Sequence, residues 1–211
     1  MEDKQMTANE SLELITAMIN NTKKRMELGQ GNILLLWGYV SAIVAVLVMT
    51  ALFITRNGMW NWMWFLIPVV GCLLMFTVLR KKDASPRPVT YVDRITSNVW
   101  ASFGFICFIV SLACVGFMLA GKDTWIMMFI FPVLGIGACS LIQGFIIEEK
   151  SLIFGGFVGL LCGIFLLGCV LAGIRLMALW TIPMFIVCMI LMLIVPGHIL
   201  NYKAKKSCSQ N

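Results

Sequence analysis

Six long apolar stretches, each of 20 residues or more and none with an Asp, Glu, Lys or Arg, fill most of this 211-residue chain. A bilayer core about 30 Å thick needs about 20 such residues to be crossed by an α-helix. Because backbone polar groups in lipid must be hydrogen-bonded within the protein, the predicted fold class is all-α and polytopic. The predicted transmembrane helices are Ile33–Ile54, Trp60–Leu79, Val99–Ala120, Trp125–Ile147, Leu152–Ile174 and Met177–Leu200.

The rest of the chain is short. It consists of a polar head (residues 1–32), one longer loop (80–98), a tail (201–211) and four brief turns, so residues 33–200 form one transmembrane domain. The recurrence of Trp followed by Pro at the start of every second helix predicts three consecutive αα-hairpins, the third in the shorter form Trp180-Thr-Ile-Pro183. In the first two hairpins the second helix begins with Trp and then meets Pro, at Trp60 with Pro68 and at Trp125 with Pro132. Both prolines are expected two turns inside their helices, where they can kink them.

The basic residues are distributed unevenly about the predicted spans. Thirteen of the 16 Lys and Arg residues fall in the head, the long loop, the turn between the fourth and fifth spans, and the tail. The opposite side has only Arg56, Lys122 and Arg175. Positive charge accumulates on the cytoplasmic side of membrane proteins, so both termini of this multi-pass protein are predicted to be cytoplasmic. The net charge of +6 is therefore a topology and lipid signal and does not predict nucleic-acid binding.

The polar head is predicted to form an amphipathic helix before the first span. Thr7 followed by Glu10 makes a capping box at its start. Helical spacing then places an apolar stripe on one face, formed by Leu12, Ile15, Ile19 and Met26 with Thr22 in the gap. Gly29 and Gly31 are expected to break this helix before the membrane.

Two roles fit this head. Its apolar stripe can lie in the inner leaflet, with the basic run Lys23, Lys24 and Arg25 near anionic lipid. It can also dock a cytoplasmic partner. A second capping box from Thr90 to Asp93 is expected to extend the third helix backwards, so Asp93 and Arg94 join the candidate contact residues.

Glycine recurs at every fourth position in the fifth span, at Gly155, Gly159 and Gly163. In lipid, small residues at this spacing let two helix backbones approach closely. The three glycines are therefore candidate helix-packing positions, either within the chain or between chains.

Residues that carry chemistry are scarce. No ionisable residue lies in the middle of a span, where it would mark an ion path or proton relay, and Gln143 is the strongest polar group within one. Seven of the eight Cys lie within spans and none forms a CxxC pair, so they are predicted to be packing residues. Ser140 and His198 fall on the fourth and sixth spans, as in rhomboid-type proteases, but at different depths. No catalytic, cofactor-binding or metal-binding residue is predicted.

Several local strings resemble a group of uncharacterised six-span membrane proteins from Bacteroides-like bacteria. They include Leu36-Trp-Gly-Tyr39, Trp64-Phe-Leu-Ile-Pro68, Tyr91-Val-Asp-Arg94 and Pro196-Gly-His-Ile-Leu-Asn201. This resemblance runs nearly end to end. It implies a bacterial source and a six-span protein of the inner membrane, and it implies no activity.

The sequence therefore favours a non-enzymatic accessory or regulatory membrane subunit that acts through association. Its expected partners are the lipid bilayer and a membrane or cytoplasmic protein or a second copy of the chain. The alternative is a small-solute transporter or the substrate-binding membrane subunit of an uptake system, which the length and the six spans also fit.

Overall fold

The structure is a computed structural model, and it describes residues 8–82, 91–174, 176 and 180–209. This part of the chain is helical apart from short turns and contains no strand. Its helices are α1 (Ala8–Thr55), α2 (Leu66–Lys82), α3 (Tyr91–Leu119), α4 (Trp125–Ile147), α5 (Lys150–Leu171), α6 (Thr181–Met189) and α7 (Val195–Ser209). A 3₁₀ helix, Gly58–Phe65, precedes α2, and one π-helical turn, Ile190–Ile194, joins α6 to α7.

Six helical stretches are long and apolar enough to cross a membrane, which confirms the predicted polytopic all-α fold. They are Gly31–Thr55, Gly58–Thr77, Tyr91–Leu119, Trp125–Ile147, Lys150–Leu171 and Thr181–Lys206. The last of these, made of α6, the π-helical turn and α7, is called the sixth span below. The protein is an integral membrane protein.

The three successive helix pairs contact one another as hairpins, but close packing also occurs between hairpins. α4 packs along the whole of α5, and α1 packs against the sixth span. These four spans carry the core, whereas α2 leans mainly on α1, and α3 leans mainly on α4. The most deeply buried side chains come from these four spans: Ala45, Val48, Val133, Leu152, Leu166, Met189, Met192, Leu193 and Leu200.

The two ends of the bundle are called the terminal end and the distal end. The terminal end holds Gly31 of α1, Glu149 in the α4–α5 turn and Lys203 of α7. At the distal end, rings of Trp64, Phe129 and Phe185 lie with centroids 5.2–5.8 Å apart. This aromatic cluster ties the start of the second span to α4 and α6.

Helix α1 corrects one prediction. It is a single helix of 48 residues that runs through Gly29 and Gly31 without a break. The reason is that Gly31 is a packing position. A Cβ there would meet the carbonyl oxygen of Gly197 at 2.9 Å, so the glycine lets α7 approach α1 closely. The predicted Thr7 cap lies outside the described residues, next to the observed start at Ala8.

The prolines are accommodated in different ways. Pro68 lies in the first turn of α2, because the eight residues that precede α2 form the 3₁₀ helix, and so it is not two turns inside a helix as predicted. Pro132 does lie in the interior of α4. Pro196 follows the π-helical turn, in which the N–H of Val195 bonds to the carbonyl of Ile190. That wider turn suits a proline ring, which collides with the carbonyl four residues earlier in a regular helix.

Candidate functional site

Polar side chains line the contact between α1 and α7 near the terminal end. The hydroxyl of Tyr39 and Nε2 of His198 are joined by a 2.8 Å hydrogen bond, with the rings edge to face. Nδ2 of Asn201 donates to Oδ1 of Asn32 at 2.7 Å. These four residues are called the α1–α7 seam. Glycines permit the close approach: a Cβ on Gly38 would meet Cγ1 of Ile194 at 2.7 Å.

The seam accounts for His198, the single histidine of the chain. The hypothetical Ser140–His198 pair does not form, because His198 bonds to Tyr39 and the Oγ of buried Ser140 has no hydrogen-bond partner among the described residues. An acyl-transfer site would need the serine and histidine within about 3 Å of each other.

An ion pair joins the α4–α5 turn to α7. Nζ of Lys203 lies 2.7 Å from Oε2 and 2.9 Å from Oε1 of Glu149. The same carboxylate accepts hydrogen bonds from the hydroxyl and the backbone N–H of Ser151, at 3.0 and 3.5 Å, and so caps the N-terminus of α5. Three charged residues in a row at 148–150 are typical of a solvated turn, and Glu148 and Lys150 are exposed, but Glu149 between them is only 6% exposed and is paired.

The electrostatics of Glu149 follow from these contacts. Burial acts to raise the pKa of its carboxyl group, but the hydrogen bonds from Lys203 and Ser151 and the charge of Lys203 outweigh it, and the pKa lies below its ordinary value. Glu149 is therefore ionised at neutral pH. Its charge holds the end of α7 against the turn.

Gln143 is not free to form a substrate site. It is 2% exposed, and its Oε1 accepts a 2.9 Å hydrogen bond from Nε1 of Trp100 on α3. Together with the ring of Phe103 against Gly135, this bond fixes α3 on α4. A buried amide in a membrane protein is expected to find such a partner, because unpaired polar groups in lipid are costly.

The glycines of α5 lie at helix contacts within the chain. Gly155 faces the backbone of the sixth span, with a Cβ expected at 2.7 Å from the carbonyl oxygen of Leu191. Gly159 faces Gly137 of α4 and the side chain of Met192, and Gly163 faces Leu134. α4 and α5 therefore touch backbone to backbone.

The other predicted contact residues are only partly described. Leu12 is 62% exposed on α1. Asp93 is half-buried in the first turn of α3, and Arg94 beside it is exposed. The side chains of Ile15, Ile19, Lys23, Lys24 and Arg25 lie outside the described residues, although the helix that carries them is described.

The sequence did not single out the α1–α7 seam as a site. A signal is present in retrospect, since Asn32 and Tyr39 are seven residues apart on one face of α1, and His198 and Asn201 are three apart on α7. Nothing in the sequence shows that the two faces meet. Among the described residues, no group of three His, Cys, Asp or Glu side chains is placed to hold a metal ion.

Comparisons with known proteins give no relative. No protein-family model matches the chain, and neither the curated proteins nor the solved structures contain a significant match. A function for this chain must therefore be inferred from its own contacts and charges.

Proposed function

We propose that this protein is a non-enzymatic accessory or regulatory subunit of a bacterial inner membrane, with both termini in the cytoplasm, and that it acts by associating with another protein through the head of α1. The observation that carries the proposal is the unbroken course of α1 from Ala8 to Thr55. The resemblance to proteins of Bacteroides-like bacteria supports the choice of membrane.

The head of α1 projects well away from the membrane. The 23 residues from Ala8 to the start of the first span at Gly31 correspond to about 35 Å of helix at 1.5 Å per residue. α7 runs antiparallel beside α1, and its last residue, Ser209, is eight residues beyond Asn201, which packs at Gly31. The head therefore extends about 20 Å beyond the end of α7. A helix continuous with a membrane span is directed away from the bilayer surface, which favours docking over lying in the leaflet.

The spacing of the apolar stripe suits a helical partner. Leu12, Ile15, Ile19, Thr22 and Met26 are separated by alternating steps of three and four residues. This is the repeat by which two helices pack along a common seam. A single helix of this length is only marginally stable in water, so a partner helix along this stripe would stabilise it.

The basic run at the base of the head has a separate role in this proposal. Lys23, Lys24 and Arg25 are six to eight residues before Gly31, which places them about 9–12 Å outside the span, at the level of lipid headgroups. Basic side chains there attract anionic lipid. Arg94 at the exposed start of α3 would add to the same charged layer.

The alternative, a small-solute transporter or the substrate-binding membrane subunit of an uptake system, is less well supported. Gln143, its best candidate for a polar binding group, is bonded to Trp100. A transporter of this kind would need a cavity between its helices, but the glycine faces of α4 and α5 are closed by direct contact between the two helices.

The test is purification of the tagged protein from its native host in a mild detergent, with mass spectrometry of the proteins that come with it. The test variant carries Leu12→Ser, Ile15→Ser and Ile19→Ser. The control carries Ala17→Ser and Leu28→Ser, which alter apolar residues that helical spacing places on the opposite side of the same helix. We expect a partner to co-purify in an amount nearly equal to that of the tagged protein. Its amount should fall about tenfold or more with the test variant and stay unchanged with the control, since a few buried apolar side chains dominate the binding energy of an interface.

A second copy of the chain would satisfy the same test if differently tagged copies co-purify and the test variant separates them. Recovery of the protein alone would overturn the proposal. So would a partner that the test and control variants retain equally.

A further inference from the structure

The exposed side of α1 carries a shallow, open groove on its membrane-facing surface. The groove has a volume of about 250 Å³ and is lined by Ala42, Ile43, Val46 and Leu47, with almost no polar surface. These positions follow one another at helical spacing on a single face. The groove is thus an apolar channel parallel to the lipid chains.

The same face of α1 becomes polar towards the terminal end. Tyr39 lies one turn from Ala42 and Ile43 on that face, and Asn32 lies two turns beyond Tyr39. Tyr39 is 45% exposed, yet its hydroxyl is held by His198. The groove therefore ends at a fixed hydrogen-bonding pair.

α7 continues the gradient with positive charge. His198, Asn201, Tyr202 and Lys205 lie on one face of α7 by their spacing of three, four and seven residues. Tyr202 and Lys205 are exposed. Helical side chains lean towards the N-terminus of their helix, so the side chain of Lys205 leans back towards His198.

The charge on this face is not cancelled by the ion pair nearby. Lys203 points to another side of α7, where it neutralises Glu149. Lys205 and Lys206 remain exposed on α7. The exposed side of α7 thus carries positive charge at the level of the headgroups.

We propose that this face, from the groove on α1 through Tyr39 and His198 to Lys205, binds one anionic phospholipid. An acyl chain lies in the groove, the ester lies beside the Tyr39–His198 pair, and the phosphate lies near Lys205, which supplies the positive charge. The distance supports this occupant: Val46 and Tyr39 are separated by about 10 Å along α1, and His198 and Lys205 by about 10 Å along α7. Apolar, polar and basic groups follow in the order that a phospholipid presents its chain, ester and phosphate.

The experiment is native mass spectrometry of the full-length protein, delipidated in detergent. Dioleoylphosphatidylglycerol and dioleoylphosphatidylcholine, which share their acyl chains, are titrated separately. We expect one phosphatidylglycerol molecule to bind about fivefold or more tightly than phosphatidylcholine, since one lysine near an anionic headgroup has about that effect.

Variants separate the headgroup from the chain. Lys205→Gln should abolish most of the preference for phosphatidylglycerol, whereas Lys122→Gln, which changes an exposed lysine at the distal end, should leave it unchanged. Val46→Trp should fill the groove and weaken both lipids, whereas Leu112→Trp, on the exposed surface of α3, should weaken neither. Since Lys205 is exposed, its variant keeps the packing intact and tests the proposal even if Val46→Trp does not fold.

Three results would overturn the proposal. The first is equal binding of the two lipids, and the second is equal behaviour of Lys205→Gln and Lys122→Gln. The third is displacement of bound phosphatidylglycerol by millimolar inorganic phosphate, which would indicate a site for soluble anions in place of a lipid.

Discussion

At the scale of single residues, Glu149 shows how much a distant partner changes the role of a side chain. Its neighbours in sequence are Glu148 and Lys150, a run typical of a solvated turn. The partner that buries and pairs it is Lys203, 54 residues later. Local sequence predicted the position of the turn correctly, but it could not reveal this contact, because the approach of α7 depends on packing along α1.

Replacement of Glu149 by Gln should destabilise the protein by about 1–2 kcal/mol, because it leaves Lys203 without its counter-charge and weakens the cap of α5. The measurement is thermal unfolding in detergent micelles at neutral pH. Lys206→Gln, on an exposed lysine of the same helix, is the control and should have little effect. Equal losses in the two variants would contradict the assigned ion pair.

The same residue predicts a dependence on pH. The pKa of Glu149 is lower in the folded protein than its ordinary value of 4.5. A group of this kind contributes stability above its unfolded pKa, and that contribution is lost as the pH falls through the folded pKa. The difference in melting temperature between wild type and Glu149→Gln should therefore be constant near neutrality and shrink below pH 4.5.

At the scale of helices, the packing of α4 against α5 depends on glycines that let the two backbones touch. A Cβ on Gly156 would lie 2.6 Å from the backbone nitrogen of Leu141, and one on Gly144 would lie 2.7 Å from that of Ile153. Backbone atoms cannot move aside as a flexible side chain can. The two helices would have to separate.

Gly156→Ala is therefore expected to cost about 2 kcal/mol or more, since overpacking in a close contact forces the backbone to shift. Gly168→Ala on the same helix is the matched control. Its Cβ would meet nothing within 4 Å, and alanine is favoured in helices, so this variant should be neutral or slightly stabilising. Melting temperatures of the two variants in the same detergent decide the matter, and a larger loss in Gly168→Ala would contradict the observed packing.

Helix boundaries show what local sequence can and cannot supply. Among the described residues α3 reaches back to Tyr91, ahead of the predicted span start at Val99, while Thr90 of the predicted cap lies outside them. α1 does not break at Gly29 and Gly31, because a low helix propensity costs only about 1 kcal/mol per glycine and Gly31 packs against α7. Whether a glycine ends a helix or allows a close contact depends on the neighbouring helix. The sequence of one segment does not show which helix will pack against it.

At the scale of the whole molecule, hydrophobic length and charge predicted the number and approximate bounds of the spans. They did not predict which spans form the core, because α3, outside the core, is as apolar as α1 and the sixth span within it. The difference lies in surface shape, such as Gly38 and Gly197 on α1 and α7, which allow those two helices to approach. The α1–α7 seam is a product of that pairing.

The orientation of the molecule remains a prediction that reporter fusions can test. The uneven distribution of Lys and Arg predicts cytoplasmic termini. Alkaline phosphatase, active only outside the cytoplasm, should be active when fused after Lys122 and inactive when fused after Asn211. Green fluorescent protein, fluorescent when it folds in the cytoplasm, should give the opposite pattern, and a reversal of both would place the termini outside.

The pairing of α1 with the sixth span also sets an order of events during biosynthesis. Roughly 150 residues separate the end of α1 at Thr55 from the end of α7 at Ser209. At 5–20 residues per second, the first helix waits about 8–30 s in the bilayer before its main partner has left the ribosome. During that interval the glycine-lined surface of α1 is open to lipid or to an insertion chaperone. In a chain truncated before the last helix, this surface would stay uncovered permanently.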